Sequence, residues 1–355
     1  MKNNKYIIAV LFYICSANAL SGQEKDSFYW SSISSYHVDQ DLLAGEYNED
    51  RNYTMGVTLV WAGDISRDHI LSTHSFLNAL DRYLGITTTP SSASVSLGVT
   101  AFTPDNLQDS SPIFTDRPYS SLLFSSSSQV YKRSDTFATE SSLTLGVLGL
   151  PIAEVVQTAI HVVSRFLRNR DRPYNPEGWD HQISNGGEPT FKYTWTAYQY
   201  LPVAKYFDAA LSFDGSFGYY TNVSAGAGMR LGKFNDRDKF WNIIKLQDPQ
   251  SDANKMLSNR SLAKMIAPEE IYFSAGYRQR YVEYNALLQC QVGDSDVCLD
   301  ASDIENNIEE ISLAITYTPV DSGTWSVNCN KRSSEHKLAD ARDHRWCGIN
   351  YYRLF

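Results

Sequence analysis

After residue 20 the sequence has no apolar segment long enough to cross a bilayer as a helix, which takes roughly 20 residues. Basic residues are in the minority, with 31 Lys and Arg against 40 Asp and Glu and a formal net charge of −9. This acidic balance argues against nucleic acid as a partner. No serine stands in a strand-turn-helix context typical of a nucleophile elbow, and no internal repeat is present. The sequence therefore indicates neither a helical membrane protein nor a serine hydrolase of that type.

The N-terminus has the three parts of a secretory signal. Lys2 and Lys5 supply positive charge, residues 6–14 form a short apolar core, and Ala17-Asn18-Ala19 is a small-residue cleavage site. We therefore predict a signal peptide over residues 1–19 and one exported domain over residues 20–355.

Period-two alternation of apolar and polar residues dominates the rest of the chain. Over residues 220–231, for example, Val223, Ala225 and Met229 alternate with Asn222 and Ser224. Such alternation predicts strands with one apolar and one polar face. Twelve such segments are present, near residues 27–38, 52–62, 93–102, 118–131, 135–148, 190–201, 206–215, 220–231, 269–281, 308–318, 323–331 and 345–355.

Twelve amphipathic strands predict an all-β fold, an antiparallel transmembrane β-barrel of the bacterial outer membrane with a polar lumen and a lipid-facing exterior. The 23 Tyr and 7 Trp residues suit the aromatic girdles of such a barrel. The chain ends on Phe355, with Tyr351 and Ile349 alternating behind it, like the C-terminal signal that the barrel-assembly machinery recognises. Two periplasmic connections, 63–92 and 232–268, are long enough to carry a helix.

Four of the five cysteines follow the signal segment. An even number in an exported chain favours two disulfides, with three possible connectivities. Cys290 and Cys298 fall in one outer loop, whereas Cys329 and Cys347 fall on the same face of the last two strands. This placement favours the pairs 290–298 and 329–347.

Residues 151–168 break the period-two pattern and predict a helix in an extracellular loop. Pro151 suits a first helical turn, and Gln157 and His161, at positions i and i+4, lie side by side on its polar stripe. Two interpretations stay open: an amphipathic loop helix whose histidine faces water, or a helix that carries a catalytic pair to the membrane surface.

Ordered motifs along residues 39–185 resemble those of the outer-membrane lipid A 3′-O-deacylase (LpxR) family. They are Asp39-Gln40-Asp41, Asp50-Arg51-Asn52-Tyr53-Thr54-Met55-Gly56, Thr103-Pro104, Asp116-Arg117-Pro118-Tyr119-Ser120, Gln157-Thr158-Ala159-Ile160-His161, Gly178-Trp179-Asp180-His181-Gln182-Ile183 and Asn185. The resemblance implies a twelve-stranded barrel that uses Ca²⁺ to hydrolyse the 3′-acyloxyacyl ester of lipid A, the membrane anchor of lipopolysaccharide.

Carried over by position, the resemblance implies a role for each site residue. His161 corresponds to the general base and Gln157 to its polar neighbour, Asp41 to the calcium carboxylate, and Thr54 to a site residue near the metal. Gln40 stands where the family usually has Asn. The family's lysine in the second outer loop has no counterpart between Thr103 and Pro118, where the basic residue is Arg117.

Three other functions remain open from the sequence. The first is an outer-membrane phospholipase or other lipid esterase. The second is a porin or adhesin whose loop helix plugs the lumen, and the third is a catalytically silent member of the resembled family.

Overall fold

The structure, a computed structural model, describes residues 29–31, 52–62, 66–152, 154–155, 176–234, 269–293, 295–319 and 324–354. The predicted signal peptide, residues 1–19, lies outside the described residues. No helix in these ranges is long and apolar enough to cross a membrane.

Twelve strands lie in the described part of the chain, and all of them were predicted from alternation. They are β1 (Tyr29–Ser31), β2 (Asn52–Ala62), β3 (Ser92–Thr103), β4 (Ser120–Lys132), β5 (Phe137–Leu148), β6 (Glu188–Ala204), β7 (Phe207–Gly218), β8 (Tyr220–Lys233), β9 (Glu270–Asn285), β10 (Asn307–Thr318), β11 (Thr324–Arg332) and β12 (His344–Leu354). Two helices, α1 (His74–Tyr83) and α2 (Ala286–Gln289), and two 3₁₀ turns, Trp179–His181 and Ala301–Asp303, occupy connections.

Each strand pairs antiparallel with its neighbours in sequence, and β1 closes the barrel by pairing with β12. The closing register sets Tyr29 opposite Leu354 and Ser31 opposite Tyr352. At one end the connections include the short turns 133–136 and 205–206, whereas loops 2 (104–119), 3 (149–187), 5 (286–306) and 6 (333–343) lie at the other end. Outer-membrane barrels have short periplasmic turns and long extracellular loops, so we assign the loop end to the cell exterior.

The two faces of the wall differ as the alternation predicts. Residues paired across neighbouring strands share a face, and one face exposes large apolar side chains such as Phe213, Val223 and Ile315. The other face carries buried polar residues, of which Asp214, Ser224 and Arg280 follow one another by register. The apolar face is the lipid-facing exterior, and the polar face lines the lumen.

A chain of ion pairs fills part of the lumen, with Glu310 at its centre. This carboxylate lies 2.6 Å from Arg332 Nη2, 3.4 Å from Arg280 Nη2 and 3.6 Å from Arg278 Nη1. Arg332 continues the chain to Glu335 in loop 6 at 3.2 Å. Glu310, Arg280 and Arg332 are each at most 2 % exposed. Their charges therefore neutralise one another in a space that little water reaches.

An apolar cluster closes the extracellular end of the lumen, where alternation alone predicts polar residues. The α2 side chains Ala286 and Leu287 pack there against lumen-facing residues of the wall. These partners include Phe102, Leu122, Phe124, Leu148 and Trp346. A loop that folds into the barrel mouth buries these apolar side chains, which strand periodicity cannot reveal.

Both favoured disulfides are confirmed. Cys290 and Cys298 are joined within loop 5, with Cα atoms 5.5 Å apart. Cys329 and Cys347 are register partners on β11 and β12, with Cα atoms 4.0 Å apart. The second pair lies on the lipid-facing side of the final hairpin, as the parity of its residues predicts.

We expect Glu310→Gln to destabilise the barrel by about 3–5 kcal/mol, because it leaves buried guanidinium groups without their shared negative charge. The neighbouring Glu309→Gln, on an exposed face of the same strand, should change stability by less than about 0.5 kcal/mol. The urea midpoint of unfolding of the purified protein in phospholipid vesicles measures both. Equal midpoints for the two variants would contradict the central role of Glu310.

Candidate functional site

Four of the residues predicted for the site, Gln40, Asp41, Gln157 and His161, lie outside the described residues. Thr54 lies in β2, where the structure describes the backbone. The described part of the site is therefore the scaffold that holds both ends of loop 3, which carries Gln157 and His161.

Thr54 occupies an irregularity in the β2–β3 ladder. Tyr53 is opposite Phe102, but Met55 is opposite Ala101, so one residue of β2 has no partner on β3. A bulge of this kind re-aims a side chain and is common beside active sites. Simple alternation does not fix the direction of a residue in a bulge.

The two ends of loop 3 are in direct backbone contact. Gly186 N donates to Gly149 O at 3.2 Å, and Gly149 N donates to Ser121 O at 3.0 Å. Gly149 has φ +70°, and a Cβ at this position would lie 1.8 Å from Ser184 O. Glycine is therefore required here by both conformation and space. Loop 3 leaves and rejoins the wall at almost the same point.

Ser121 joins the two ends through its side chain. Its hydroxyl lies 3.1 Å from Leu150 O at the start of loop 3 and 2.9 Å from Gln182 Oε1 at its end. Ser121 pairs with Ala101 on the lipid-facing side of the wall, and it is only 1 % exposed because loop 3 covers it. The described start of loop 3 therefore leaves the outer wall at the extracellular rim.

The helical start predicted at Pro151 is present. Val155 N donates to Pro151 O at 3.4 Å, the i to i+4 bond of a first helical turn. Pro151 suits this position because the first turn needs no hydrogen bond from its nitrogen. The described helical residues end at Val155.

A small aromatic cluster supports the returning part of loop 3. The rings of Tyr119 and Trp179 lie 4.9 Å apart at 58°, and they pack with Leu107 and Ala101. A Cβ at Gly178 would lie 2.5 Å from the Tyr119 ring, so the close approach of loops 2 and 3 requires glycine. The Gly178-Trp179 and Tyr119 motifs thus position loop 3.

Asp116 and Arg117 connect loop 2 to loop 6. Asp116 Oδ2 accepts from Arg342 Nη2 at 2.7 Å and from Asp105 N at 2.8 Å. Although burial alone would raise it, the His336 ring, the Asp105 amide and the Arg342 charge hold the pKa of Asp116 well below its usual range. Arg117 stacks on Phe102, with 4.1 Å from Cζ to the ring centroid.

Burial lowers the pKa of Arg117 to about 10, while Glu335, 3.3 Å from Nη1, favours its charged form. Arg117 therefore stays charged at neutral pH, and its partners lie in the network of the lumen. In this position Arg117 connects loop 2 to loop 6 through Glu335.

The described residues contain no group of three or more His, Cys, Asp or Glu with the geometry of a metal site. The donors assigned from sequence, the Asp41 carboxylate and the Thr54 hydroxyl, are hard oxygen ligands of the kind Ca²⁺ prefers. The chemistry of the donor set therefore fits Ca²⁺.

Several positioning residues escape detection from sequence alone. In the sequence Ser121 is an ordinary strand residue and Gln182 a loop residue, and only the contacts of Ser121 with Leu150 and Gln182 reveal their function. One signal was present: the outward-facing positions of β4 include Ser121, Ser125, Ser127 and Gln129, where a lipid-facing strand normally carries apolar residues.

Comparisons with known proteins agree with this architecture. The solved structure of LpxR from Salmonella typhimurium superposes with a TM-score of 0.66 at 14 % identity, covering 93 % of this chain and 100 % of that one, which supports the fold. The KdgM porin and the β domain of the Bordetella autotransporter BrkA are more distant, with TM-scores of 0.36 and 0.37 at 7 % and 10 % identity. Their matches cover 93 % and 92 % of this chain and 99 % and 97 % of theirs. The search of curated proteins gives no match.

A family model described as outer membrane protein LpxR matches residues 7–354, almost the whole chain. The protein is therefore a member of the LpxR family and an outer-membrane β-barrel.

Proposed function

We propose that this protein is a lipid A 3′-O-deacylase, which hydrolyses the 3′-acyloxyacyl ester of lipid A in the outer membrane with Ca²⁺ as cofactor. Family membership and one structural observation support the proposal. Loop 3 is anchored through Ser121 to the lipid-facing side of the wall at the extracellular rim. A catalytic helix that starts there lies beside the leaflet in which lipid A resides.

The proposed reaction is a hydrolysis by water. Neutral His161 removes a proton from water, and the resulting hydroxide attacks the ester carbonyl carbon. The tetrahedral intermediate collapses as the imidazolium returns the proton to the departing sugar oxygen. The products are the free acyloxyacyl fatty acid and a 3′-hydroxyl on lipid A. An unperturbed histidine pKa of about 6.5 keeps enough neutral imidazole near pH 7 for this role.

Gln157, one helical turn before His161, orients the imidazole or the attacking water. Asp41 and Thr54 would hold Ca²⁺, and Gln40, beside Asp41, contributes an amide to the same site. When bound, Ca²⁺ supplies positive charge to the developing oxyanion of the ester carbonyl.

The packed lumen argues against the porin interpretation. Glu310 and its arginines fill part of the described lumen, and the α2 cluster closes its extracellular end. A phospholipase or other lipid esterase would use the same outer rim, but it would alter phospholipids and leave the 3′-linked acyloxyacyl group of lipid A in place.

We expect His161→Ala to reduce lipid A deacylation by at least about 100-fold, since it removes the general base. The assay is mass spectrometry of lipid A from a lipopolysaccharide-producing host that expresses wild type, His161→Ala or the control Lys205→Ala in a periplasmic turn. Loss of the 3′-linked acyloxyacyl mass with wild type and Lys205→Ala, but not with His161→Ala, supports the proposal. Unchanged lipid A with a folded wild-type barrel, or altered phospholipids instead, would reject it.

Removal of Ca²⁺ with excess chelator should abolish deacylation, and added Ca²⁺ should restore it. Asp41→Asn should raise the Ca²⁺ concentration needed for activity, because it removes a charged ligand, whereas Asp300→Asn in loop 5 should not. The measurement is the initial rate of the purified protein against free Ca²⁺. Full activity in excess chelator would contradict the metal assignment.

Ser121→Ala should lower activity by roughly tenfold or more, because it removes the side-chain contacts with Leu150 and Gln182 and leaves the ends of loop 3 held by backbone bonds alone. The barrel itself should remain folded, since the lost bonds cost about 1–3 kcal/mol. Ser111→Ala, in the exposed part of loop 2, is the matched control and should retain full activity. The anchoring role of Ser121 is wrong if its variant and the control give the same rate.

A further inference from the structure

Helix α1 lies outside the barrel, and the side that faces the wall carries the polar residues His74 and Asp81 together with Leu77. Helix residue Asp81 is 1 % exposed and accepts three hydrogen bonds, from Tyr131 Oη and Ser141 Oγ at 2.5 Å and from Tyr193 Oη at 2.9 Å. Gln129 Nε2 donates to Asn78 Oδ1 at 2.9 Å. The helix is therefore bound to β4, β5 and β6 mainly through polar groups.

Strand register places these wall residues on the exterior. Ser141 is opposite Gln129 on β4 and Trp195 on β6, and Trp195 is opposite Gly215 on β7. Gly215 is two residues from Phe213, whose side chain is 52 % exposed on the lipid-facing surface. Residues two apart on a strand share a face, so Ser141 and Gln129 point out of the barrel.

The residues that lead into α1 bind the same strand. Thr73 N donates to Ser127 Oγ at 2.8 Å, and Ser125 Oγ donates to Leu71 O at 3.1 Å. Segment 71–81 therefore follows β4 from Ser125 towards the periplasmic turn. The six steps along the strand from Ser125 to Tyr131 span roughly 20 Å, or about 15 Å of membrane depth after tilt, where the apolar band is about 25 Å tall. The helix thus covers the periplasmic half of the wall at β4, β5 and β6.

Apolar side chains predominate on the side of α1 turned away from the wall, where Phe76, Ala79 and Tyr83 are exposed together with Ser75 and Arg82. Ile70, just before the helix, extends this apolar side. Ile70, Phe76 and Tyr83 are 94 %, 72 % and 86 % exposed, more than the lipid-facing wall residue Ile315 at 60 %. Arg82 and Tyr83 end the helix at the periplasmic side, where long basic and aromatic side chains reach the headgroups. The apolar side is continuous with the lipid-facing wall at the same depth.

We propose that segment 70–84 is embedded in the membrane and that its outer side binds the acyl chains of periplasmic-leaflet phospholipids. The segment supplies hydrogen-bond partners to outward-facing polar residues of β4 and β5, which would otherwise meet hydrocarbon, where no partner is available. Its own apolar side restores a lipid-compatible surface. This inference is independent of the proposed hydrolysis.

The test measures lipid contact at residue 76 of the mature protein in vesicles of phosphatidylethanolamine and phosphatidylglycerol. Phe76→Cys is labelled with a fluorophore, and quenching by lipids spin-labelled on the acyl chain is compared with Phe213→Cys on the wall and Ser111→Cys in loop 2. We expect the label at residue 76 to be quenched as strongly as the label at residue 213. We also expect a membrane-impermeant maleimide to modify Ser111→Cys fully and to leave Phe76→Cys unmodified.

Behaviour like that of Ser111→Cys would overturn the proposal. A pyrene label at residue 76 that gives excimer emission, without lipid quenching, would assign the surface to a second copy of the chain and would also overturn it. Ile70→Cys repeats the test at a second outward position if Phe76→Cys does not fold.

A second variant pair tests how the segment is held. Asp81→Leu cannot accept the bonds from Tyr131, Ser141 and Tyr193, so we expect residue 76 to become reactive to the impermeant maleimide. Asp68→Leu, at an exposed position just before this segment, should leave residue 76 protected. Retained protection in a folded Asp81→Leu barrel would show that the polar contacts do not hold the helix.

Discussion

Closure of the backbone hydrogen-bond ladder is the constraint on which this structure depends. Hydrocarbon offers no partner to an exposed amide or carbonyl, so a sheet survives there only if its first and last strands pair. The contact of β1 with β12 meets this condition. Once the sheet is closed, each side chain has two possible environments, lipid or lumen. The period-two sequence and the charged interior around Glu310 both follow from that division.

The β3–β6 sector departs from this simple division because a second layer covers its exterior. Near the extracellular rim, Ser121 and Tyr119 bind the ends of loop 3. Near the periplasm, Gln129 and Ser141 on β4 and β5 face the side of α1. Polar side chains on the outer face of β4 thus acquire partners in both leaflets. This arrangement is asymmetric: the exposed exteriors of β7, β8 and β10 carry the lipid-facing residues of an uncovered wall.

Much of the fold could be predicted because the alternation of apolar and polar residues along a strand reflects whether each side chain faces lipid or the lumen. All twelve strands, both disulfides and a helix in the connection 63–92 follow from alternation, spacing and parity. The location of α1 could not be predicted, since its polar side matches partners 50 or more residues away, such as Tyr131 and Tyr193. An amphipathic pattern alone fits a helix whose polar side faces water as well as one whose polar side faces the barrel wall. The clue was the serine tract 125–128, which includes two outward positions unsuited to bare lipid.

The same reasoning limits what motifs reveal about the site. Asp116, Arg117, Tyr119 and Trp179 belong to motifs that resemble one enzyme family, and in the structure they hold loops 2, 3 and 6 together. A residue that holds a loop in a precise geometry is as restricted in its side chain as a residue that does chemistry, so a motif match does not separate the two kinds. The hydrogen-bond and ion-pair partners of the side chain do separate them. A side chain whose polar atoms bind other loops positions the site, whereas His161 and Asp41 are proposed to act in the chemistry because ester hydrolysis requires a base and a bound electrophile such as Ca²⁺.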